Sequence, residues 1–134
     1  MNDGMGEYIA QQVIRLMIKK GIQILGSEIL ILGFTFKENC PDVRNTKVID
    51  IIKALKEYNV NITVYDPWAN PDIAQREYGI EIVNALPSVK FDTCIAAVAH
   101  KKFEELDVIS RLAPKHIIFD VKAVRNRTEV DGRL

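Results

Sequence analysis

Residues 29–46 read ILILGFTFKENCPDVRNT, and this stretch decides the fold. Four apolar residues end at Gly33 and are typical of a parallel strand that is covered on both faces. Asn45 or Thr46 can cap a helix whose apolar positions begin at Val48. Because the chain passes from a strand through a loop to a helix start, we expect the helix N-terminus to face the strand's carboxyl end.

The loop between this strand and helix is rich in basic side chains. A helix N-terminus already carries partial positive charge, so Lys37, Arg44 and Lys47 gain nothing from the helix dipole. An acidic partner or a bound phosphate explains them more easily, since helix N-termini bind anions. We therefore predict an anion-binding site at this end of the strand.

Composition indicates one compact domain. With 134 residues and 48% hydrophobic content the chain can bury a core, and its 18 basic and 18 acidic residues leave no net charge to attract nucleic acid or an anionic membrane. The sequence contains neither an apolar run of about 18 residues nor a signal-peptide pattern at its start. We expect a cytoplasmic protein that binds neither nucleic acid nor membrane.

Two cysteines are too few and too far apart for a disulfide framework or a metal site. Cys40 lies in the loop and Cys94 in an apolar strand, so we expect reduced thiols and no bound metal.

Apolar periodicity predicts alternating helices and strands. A long first helix is expected over residues 5–20, with strands near 29–32, 61–65, 80–83, 93–98 and 116–121 and helices near 46–58, 71–77, 84–88 and 102–112. This order predicts an α/β protein, a Rossmann-like three-layer domain whose mostly parallel sheet has five to six strands. Ligands are expected at the carboxyl ends of the strands, where the strand order reverses.

Short motifs spread over nearly the whole chain give it a family resemblance. They are Gly33–Lys37, Asp42–Thr46, Tyr65–Pro67, Val98–Phe103, Asp120–Lys122 and Val130–Leu134. In this order they resemble the UDP-glucose/GDP-mannose dehydrogenases, particularly the branch acting on UDP-N-acetyl-hexosamines. The resemblance implies a linker and dimerisation helix over residues 1–26, a UDP-sugar-binding C-terminal domain over residues 27–134, and a homodimer.

The resemblance also implies a substrate-binding set made of Phe36, Lys37, Arg44 and Lys122. In the family the lysine that matches Lys37 contacts the nucleotide sugar in a cleft between two domains, and the phenylalanine that matches Phe36 lines that cleft. Lys122 follows the fifth predicted strand, although Ala123 stands where relatives commonly have glycine. Arg44 could grip a phosphate or lock its own loop through a nearby aspartate, and we favour the structural role.

Two features of family enzymes are missing from this sequence. They oxidise the C6 hydroxyl of a nucleotide sugar to a carboxylate with NAD, through a cysteine in a Gly-Gly-x-Cys segment, and no such segment occurs here. Cys40 lacks a glycine-rich turn, and the first strand is not followed by the Gly-x-Gly-x-x-Gly pattern of an NAD-binding domain. We therefore expect a fragment with no catalytic residue and no bound cofactor.

The expected partners are a UDP-N-acetyl-hexosamine or related UDP-sugar and the N-terminal NAD-binding domain of a parent enzyme that supplies bacterial capsule or O-antigen synthesis. The alternative is a stand-alone Rossmann-like nucleotide-binding or interaction module without enzymatic activity.

Two further polar residues have competing interpretations. Asp66 stands where a dinucleotide-binding fold places its ribose-binding acid, but we interpret Asp66-Pro67 as the end of a strand. His100 follows the fourth strand without a paired carboxylate, and we assign it no chemistry.

Overall fold

The computed structural model describes residues 4–34, 46–67, 70–97, 109–121 and 132–133. Its helices are α1 (Met5–Lys19), α2 (Thr46–Lys56) and α3 (Pro71–Tyr78), with a short 3₁₀ helix at Ile109–Arg111. Its strands are β1 (Glu28–Leu32), β2 (Asn61–Tyr65), β3 (Ile82–Val83), β4 (Phe91–Ala96), β5 (Leu112–Asp120) and β6 (Gly132–Arg133). The predicted first helix and the helices after the first and second strands are confirmed, within two residues at each end.

The six strands of the described residues form one sheet in the order β3-β2-β1-β4-β5-β6, and every neighbouring pair is parallel. The order reverses between β1 and β4, because the chain builds the sheet outward from β1 to β3 and then returns to the other side of β1. This is the strand order of a doubly wound α/β domain, so the predicted Rossmann-like fold is confirmed.

Both faces of the sheet are buried, which explains the uninterrupted apolar run in β1. Ile29 and Ile31 belong to a large core cluster that includes residues of α1 and α2, whereas Leu30 and Leu32 belong to a second cluster with Cys94 of β4. Successive side chains of a strand point to opposite faces, so the two clusters lie on opposite sides of the sheet. This is the covering that a three-layer arrangement requires.

Helix α1 packs closely on α2 and belongs to the core. Ile9, Val13 and Met17 are completely buried. Gly6 allows the close approach, because a Cβ atom there would lie 2.5 Å from Cβ of Asp50 and 2.9 Å from the backbone carbon of the same residue. Most of the apolar side chains of this helix are therefore covered within the chain.

The helix predicted near residues 84–88 is wrong. After β3 these residues form bends and irregular structure, with Pro87 disfavouring helical geometry at the residue before it. The side chain of Asn84 donates a hydrogen bond to the main-chain oxygen of Asp66, which is 18 positions earlier in the sequence. A long-range contact here replaces the local hydrogen bonds of a helix.

The prediction places both the end of the last helix and the start of the strand after it too late in the sequence. Residues 102–108 lie outside the described residues, but Ile109–Arg111 form a 3₁₀ helix and β5 already starts at Leu112, opposite Phe91 of β4. The start of this strand is hard to predict from the sequence, because Pro114 cannot donate a hydrogen bond to a β-ladder and so argues against a strand. The register shifts beside it, between the pairs made by Phe91 and Thr93, which accommodates the proline.

Within the described part of the chain, no helix has the length and apolar character needed to cross a membrane.

Candidate functional site

The carboxyl ends of the strands lie side by side along one edge of the sheet. In the strand register, Leu32 of β1 is level with Tyr65 of β2 and Ala96 of β4, and Ala96 is level with Asp120 of β5. Backbone hydrogen bonds continue one residue further, from Ala97 N to Leu32 O at 3.1 Å and from Val121 N to Ala96 O at 2.9 Å. The segments that follow β1, β4 and β5 therefore all begin at the topological switch point, where ligands bind in open parallel sheets.

The exit of β1 is held by a buried carboxylate. Gly33 has a φ of 98°, a backbone conformation that favours glycine, and it turns the chain at the end of the strand. Its amide donates to the oxygen of Tyr65 at 2.9 Å. The next amide, that of Phe34, donates to Oδ2 of Asp66 at 2.8 Å, and both Phe34 and Asp66 are completely buried.

Asp66 is itself fixed from the far side. Its amide donates to the oxygen of Val83 at 3.1 Å, and its main-chain oxygen accepts from Nδ2 of Asn84 at 2.8 Å. Pro67 adds to this by holding the preceding residue in an extended conformation. The carboxylate that could have bound an adenosine ribose is instead directed at a backbone amide, in agreement with the strand-end interpretation.

A second buried carboxylate lies at the same edge. Asp120 is the last residue of β5 and is completely buried, and its backbone is in register with Arg133 of β6. Gly132, beside Arg133, has no room for a side chain, because a Cβ atom would lie 2.8 Å from both Leu16 and the ring of Phe119. β6 is thus packed tightly between α1 and the end of β5.

The predicted substrate-binding residues, Phe36, Lys37, Arg44 and Lys122, lie outside the described residues, as does His100. What the structure does place is the residue from which each segment departs. Phe34 precedes the segment with Phe36, Lys37 and Arg44, and Val121 precedes Lys122. Since Leu32 and Asp120 both pair with Ala96, these two departure points lie on either side of the end of β4.

The described cavities lie elsewhere. One of about 420 Å³ is an open groove along α1 and the end of α2, lined by Gln11, Ile14, Arg15, Ile18, Lys19 and Tyr58. It holds none of the predicted site residues and has no cluster of groups suited to chemistry. Among the described residues, no group of three or more histidine, cysteine and acidic side chains could hold a metal ion. Cys94 is a buried thiol.

Sequence reasoning missed what Asp66 and Asn84 do at this edge. It treated Asp66 as the end of a strand and placed Asn84 at a helix, whereas the two together hold the exit of β1. The available signal was Asp-Pro directly after a strand, because the proline fixes the backbone of the acid and leaves its side chain to bond a neighbouring strand.

Comparison with known proteins agrees with this architecture. The model of the UDP binding domain of the UDP-glucose/GDP-mannose dehydrogenase family matches residues 30–127. A UDP-N-acetyl-D-glucosamine 6-dehydrogenase of Salmonella typhi is 44% identical over 137 residues, which cover 100% of this chain and 32% of that protein. Protein CapL of Staphylococcus aureus is 41% identical over 98% of this chain and 31% of its own length. The chain thus spans about a third of the length of these curated relatives.

The fold is similar to that of a solved relative. The crystal structure of an NDP-N-acetyl-D-galactosaminuronic acid dehydrogenase from Methanosarcina mazei Go1 matches 98% of this chain, and 29% of that chain, with a TM-score of 0.80. At 20% sequence identity this likeness supports the fold alone. The family match and the sequence relatives together show that the chain belongs to the UDP-glucose/GDP-mannose dehydrogenase family and corresponds to its UDP-binding domain.

Proposed function

We propose that this chain binds the nucleotide sugar in an NAD-dependent UDP-N-acetyl-hexosamine 6-dehydrogenase, which oxidises the C6 hydroxyl of its substrate to a carboxylate. The relatives named as UDP-N-acetyl-D-glucosamine 6-dehydrogenases support this substrate class. The name of CapL and the family resemblance support a role in the synthesis of a bacterial surface polysaccharide, in the cytoplasm.

The observation that carries the proposal is the shared edge at the ends of β1, β4 and β5. Lys37 is five residues after the end of β1 and Lys122 is two residues after the end of β5. Two cations whose segments start on either side of the end of β4 suit a diphosphate, since each can make a charge-assisted hydrogen bond to its oxygens. In the proposal Phe36 packs against the ligand, and Arg44 either contacts a phosphate or locks its own loop.

The chemistry would require a second domain. NAD would be bound by an N-terminal domain of the parent enzyme, and that domain would supply the catalytic cysteine as well. Mixed with NAD and a UDP-sugar, this chain alone is expected to produce no NADH above a protein-free control. NADH formation by the purified chain would contradict the assignment of the NAD site and the catalytic cysteine to a second domain.

UDP binding by the chain gives the most direct test. UDP titrations followed by NMR should give saturable shifts with a Kd of about a millimolar, since half of the proposed cleft is absent. Lys37→Ala should weaken binding by about tenfold, the equivalent of one charge-assisted hydrogen bond. Lys56→Ala is the matched control, because Lys56 is exposed in the last turn of α2 and far in sequence from the loop. Equal affinities for the two variants would remove Lys37 from the site.

We further propose that the chain forms a homodimer through the outer face of α1. On that helix Tyr8 and Ile18 remain 50% and 63% exposed, although the opposite stripe is covered by the core. Ile18→Glu should reduce the sedimentation coefficient of any dimer to that of a monomer. Leu16 is unsuitable for this test, because it packs against the position of Gly132 inside the chain.

A further inference from the structure

The bond between Phe34 and Asp66 lies at the last described point of the backbone before residues 35–45. The β-ladder ends just before it, since the amide of Gly33 is the last on this strand to donate to a neighbouring strand's main chain among the described residues. At Phe34 the acceptor is the side chain of Asp66 instead of the main chain of a neighbouring strand. Its ring is also buried, in the same core cluster as α1 and α2.

This arrangement fixes the chain in both position and direction. The buried ring of Phe34 holds the residue in place, and the hydrogen bond to Asp66 Oδ2 sets the orientation of the peptide unit that joins Gly33 to Phe34. Gly33 needs such a constraint, because glycine with a positive φ has more backbone freedom than any other residue. Without the carboxylate, that peptide unit could rotate about the glycine dihedrals.

Asp66 can act as a fixed reference because its own backbone is held on two sides. It is bonded to Val83 through its amide and to Asn84 through its carbonyl oxygen, as described above. It is also completely buried, so its carboxylate is unavailable to a ligand at the surface and would repel the diphosphate of a nucleotide sugar. Asp66 therefore contributes to binding through Phe34 and not by contact.

We propose that Asp66 is a positioning residue for nucleotide-sugar binding: by bonding the Phe34 amide, it sets the direction in which the chain leaves β1 toward Phe36 and Lys37. This inference rests on the proposed function. It extends the set of residues on which binding depends to the end of β2, a strand that carries none of the predicted ligand contacts.

The chain contains a matched control at the other end of the same strand. Oδ2 of Asp92 accepts a hydrogen bond from the amide of Glu28 at 2.9 Å, so an aspartate also holds the first residue of β1. Loss of either carboxylate removes a hydrogen bond to the backbone at one end of β1. Only the loss of Asp66 changes the exit toward the proposed site.

The experiment is a set of UDP titrations, followed by NMR to about 10 mM ligand, on the parent chain and on Asp66→Ala, Asp66→Asn, Asp92→Ala and Lys37→Ala. All are measured below their unfolding transitions, so that stability does not enter the Kd. We expect Asp66→Ala to raise the Kd about tenfold, comparable to the direct loss of Lys37. Asp66→Asn should stay within about threefold of the parent, because its amide oxygen can still accept from Phe34, and Asp92→Ala within about twofold.

The outcomes separate this inference from the proposed function. If the parent binds UDP and Lys37→Ala weakens binding while Asp66→Ala does not, the positioning role is wrong and the proposed function stands. An equal loss in Asp66→Ala and Asp92→Ala also overturns it, since the effect would then be general. If the parent chain does not bind UDP at all, the proposed function and this inference both fall.

A second variant keeps the test decisive if Asp66→Ala does not fold. Asn84→Ala removes one hydrogen bond to the Asp66 carbonyl oxygen at an exposed position, and leaves the carboxylate in place. It should weaken UDP binding by about threefold, the value of one neutral hydrogen bond. An unchanged Kd in Asn84→Ala would then count against Asp66 as the fixed reference.

Discussion

Both ends of β1 are held by a hydrogen bond from a backbone amide to an aspartate side chain, but the surroundings of the two bonds differ. At the amino end Asp92 of β4 accepts from the amide of Glu28, and at the carboxyl end Asp66 after β2 accepts from the amide of Phe34. Asp92 is partly exposed, whereas Asp66 is completely buried. A hydrogen bond to a charged group is stronger where water is excluded, so its loss costs more at the buried end.

The surroundings of the two ends differ as much as the bonds do. At the amino end, the start of β1 is bonded to the first residue of β2: Asn61 N donates to Ser27 O at 2.8 Å, and Asn61 Nδ2 donates to Glu28 Oε2 at 3.0 Å. At the carboxyl end three strands end in one register and lead into the segments of the proposed site. The comparison teaches that the amino end secures the fold, while the carboxyl end both secures the fold and directs the chain toward the site.

The largest effect on stability should come from Asp66→Ala. It removes a buried hydrogen bond from the amide of Phe34 to a carboxylate, at a cost of about 3 kcal/mol. For a domain of this size that lowers the midpoint of thermal unfolding by roughly 10 °C. Differential scanning calorimetry measures the shift.

Asp92→Ala is the control for this difference in burial. Because Asp92 is partly exposed, water can replace its bond to Glu28, and the loss should be about 1 kcal/mol. Equal losses in the two variants would mean that burial does not distinguish the two ends of β1.

The next effect concerns the two glycines that flank the strand. Gly33 follows β1 directly and has a φ of 98°. Gly26 lies two residues before the start of β1 and has a φ of 76°. Gly33→Ala should cost about 2 kcal/mol, because the strained residue must also keep the Phe34 amide on the Asp66 carboxylate. Gly26→Ala should cost only about 1 kcal/mol, since nothing lies within 4 Å of the added Cβ atom and the φ is close to the left-handed region that other residues can enter. Urea unfolding measures both.

A reversed order, with Gly26→Ala the more costly, would show that the entrance of β1 is the more constrained end. The slope of each transition should match that of the parent, because neither change alters the surface exposed on unfolding.

Much of this architecture can be predicted from the sequence for a simple reason. Strands buried on both faces need continuous apolar runs, and amphipathic helices need a 3.6-residue period, so β1, α1 and α2 are predicted within a few residues. The parallel sheet follows from their alternation. These features depend on local pattern, which a single chain displays directly.

The failures share the opposite cause. Asn84 leaves a predicted helix because its partner, Asp66, is 18 positions away in the sequence, and the bond from Asp66 to Phe34 spans 32. Leu112 joins β5 early because Phe91 is available beside it, despite the proline two residues later. Contacts of this kind can be predicted only once the strand order is known, so local sequence pattern cannot reveal them. The predicted site residues lie outside the described residues and remain predictions.

The smallest expected effect, and the only stabilising one, concerns an imperfection near the amino end. The hydroxyls of Thr93 and Ser27 are buried and make no hydrogen bond within the described structure, and Thr93 is paired with Ile29 near the start of β1. Valine has nearly the shape of threonine without a hydroxyl to desolvate, so Thr93→Val should stabilise the chain by about 1 kcal/mol.

Thr63→Val is the matched control for this last substitution. Thr63 lies in the neighbouring strand β2 and is only partly buried, so the same replacement reports strand propensity without the cost of a buried hydroxyl. Its change in free energy of unfolding should be within about 0.5 kcal/mol of zero. If Thr93→Val instead destabilised the chain, its hydroxyl would have to be bonded in solution, and the amino end of β1 would be as well satisfied as the carboxyl end.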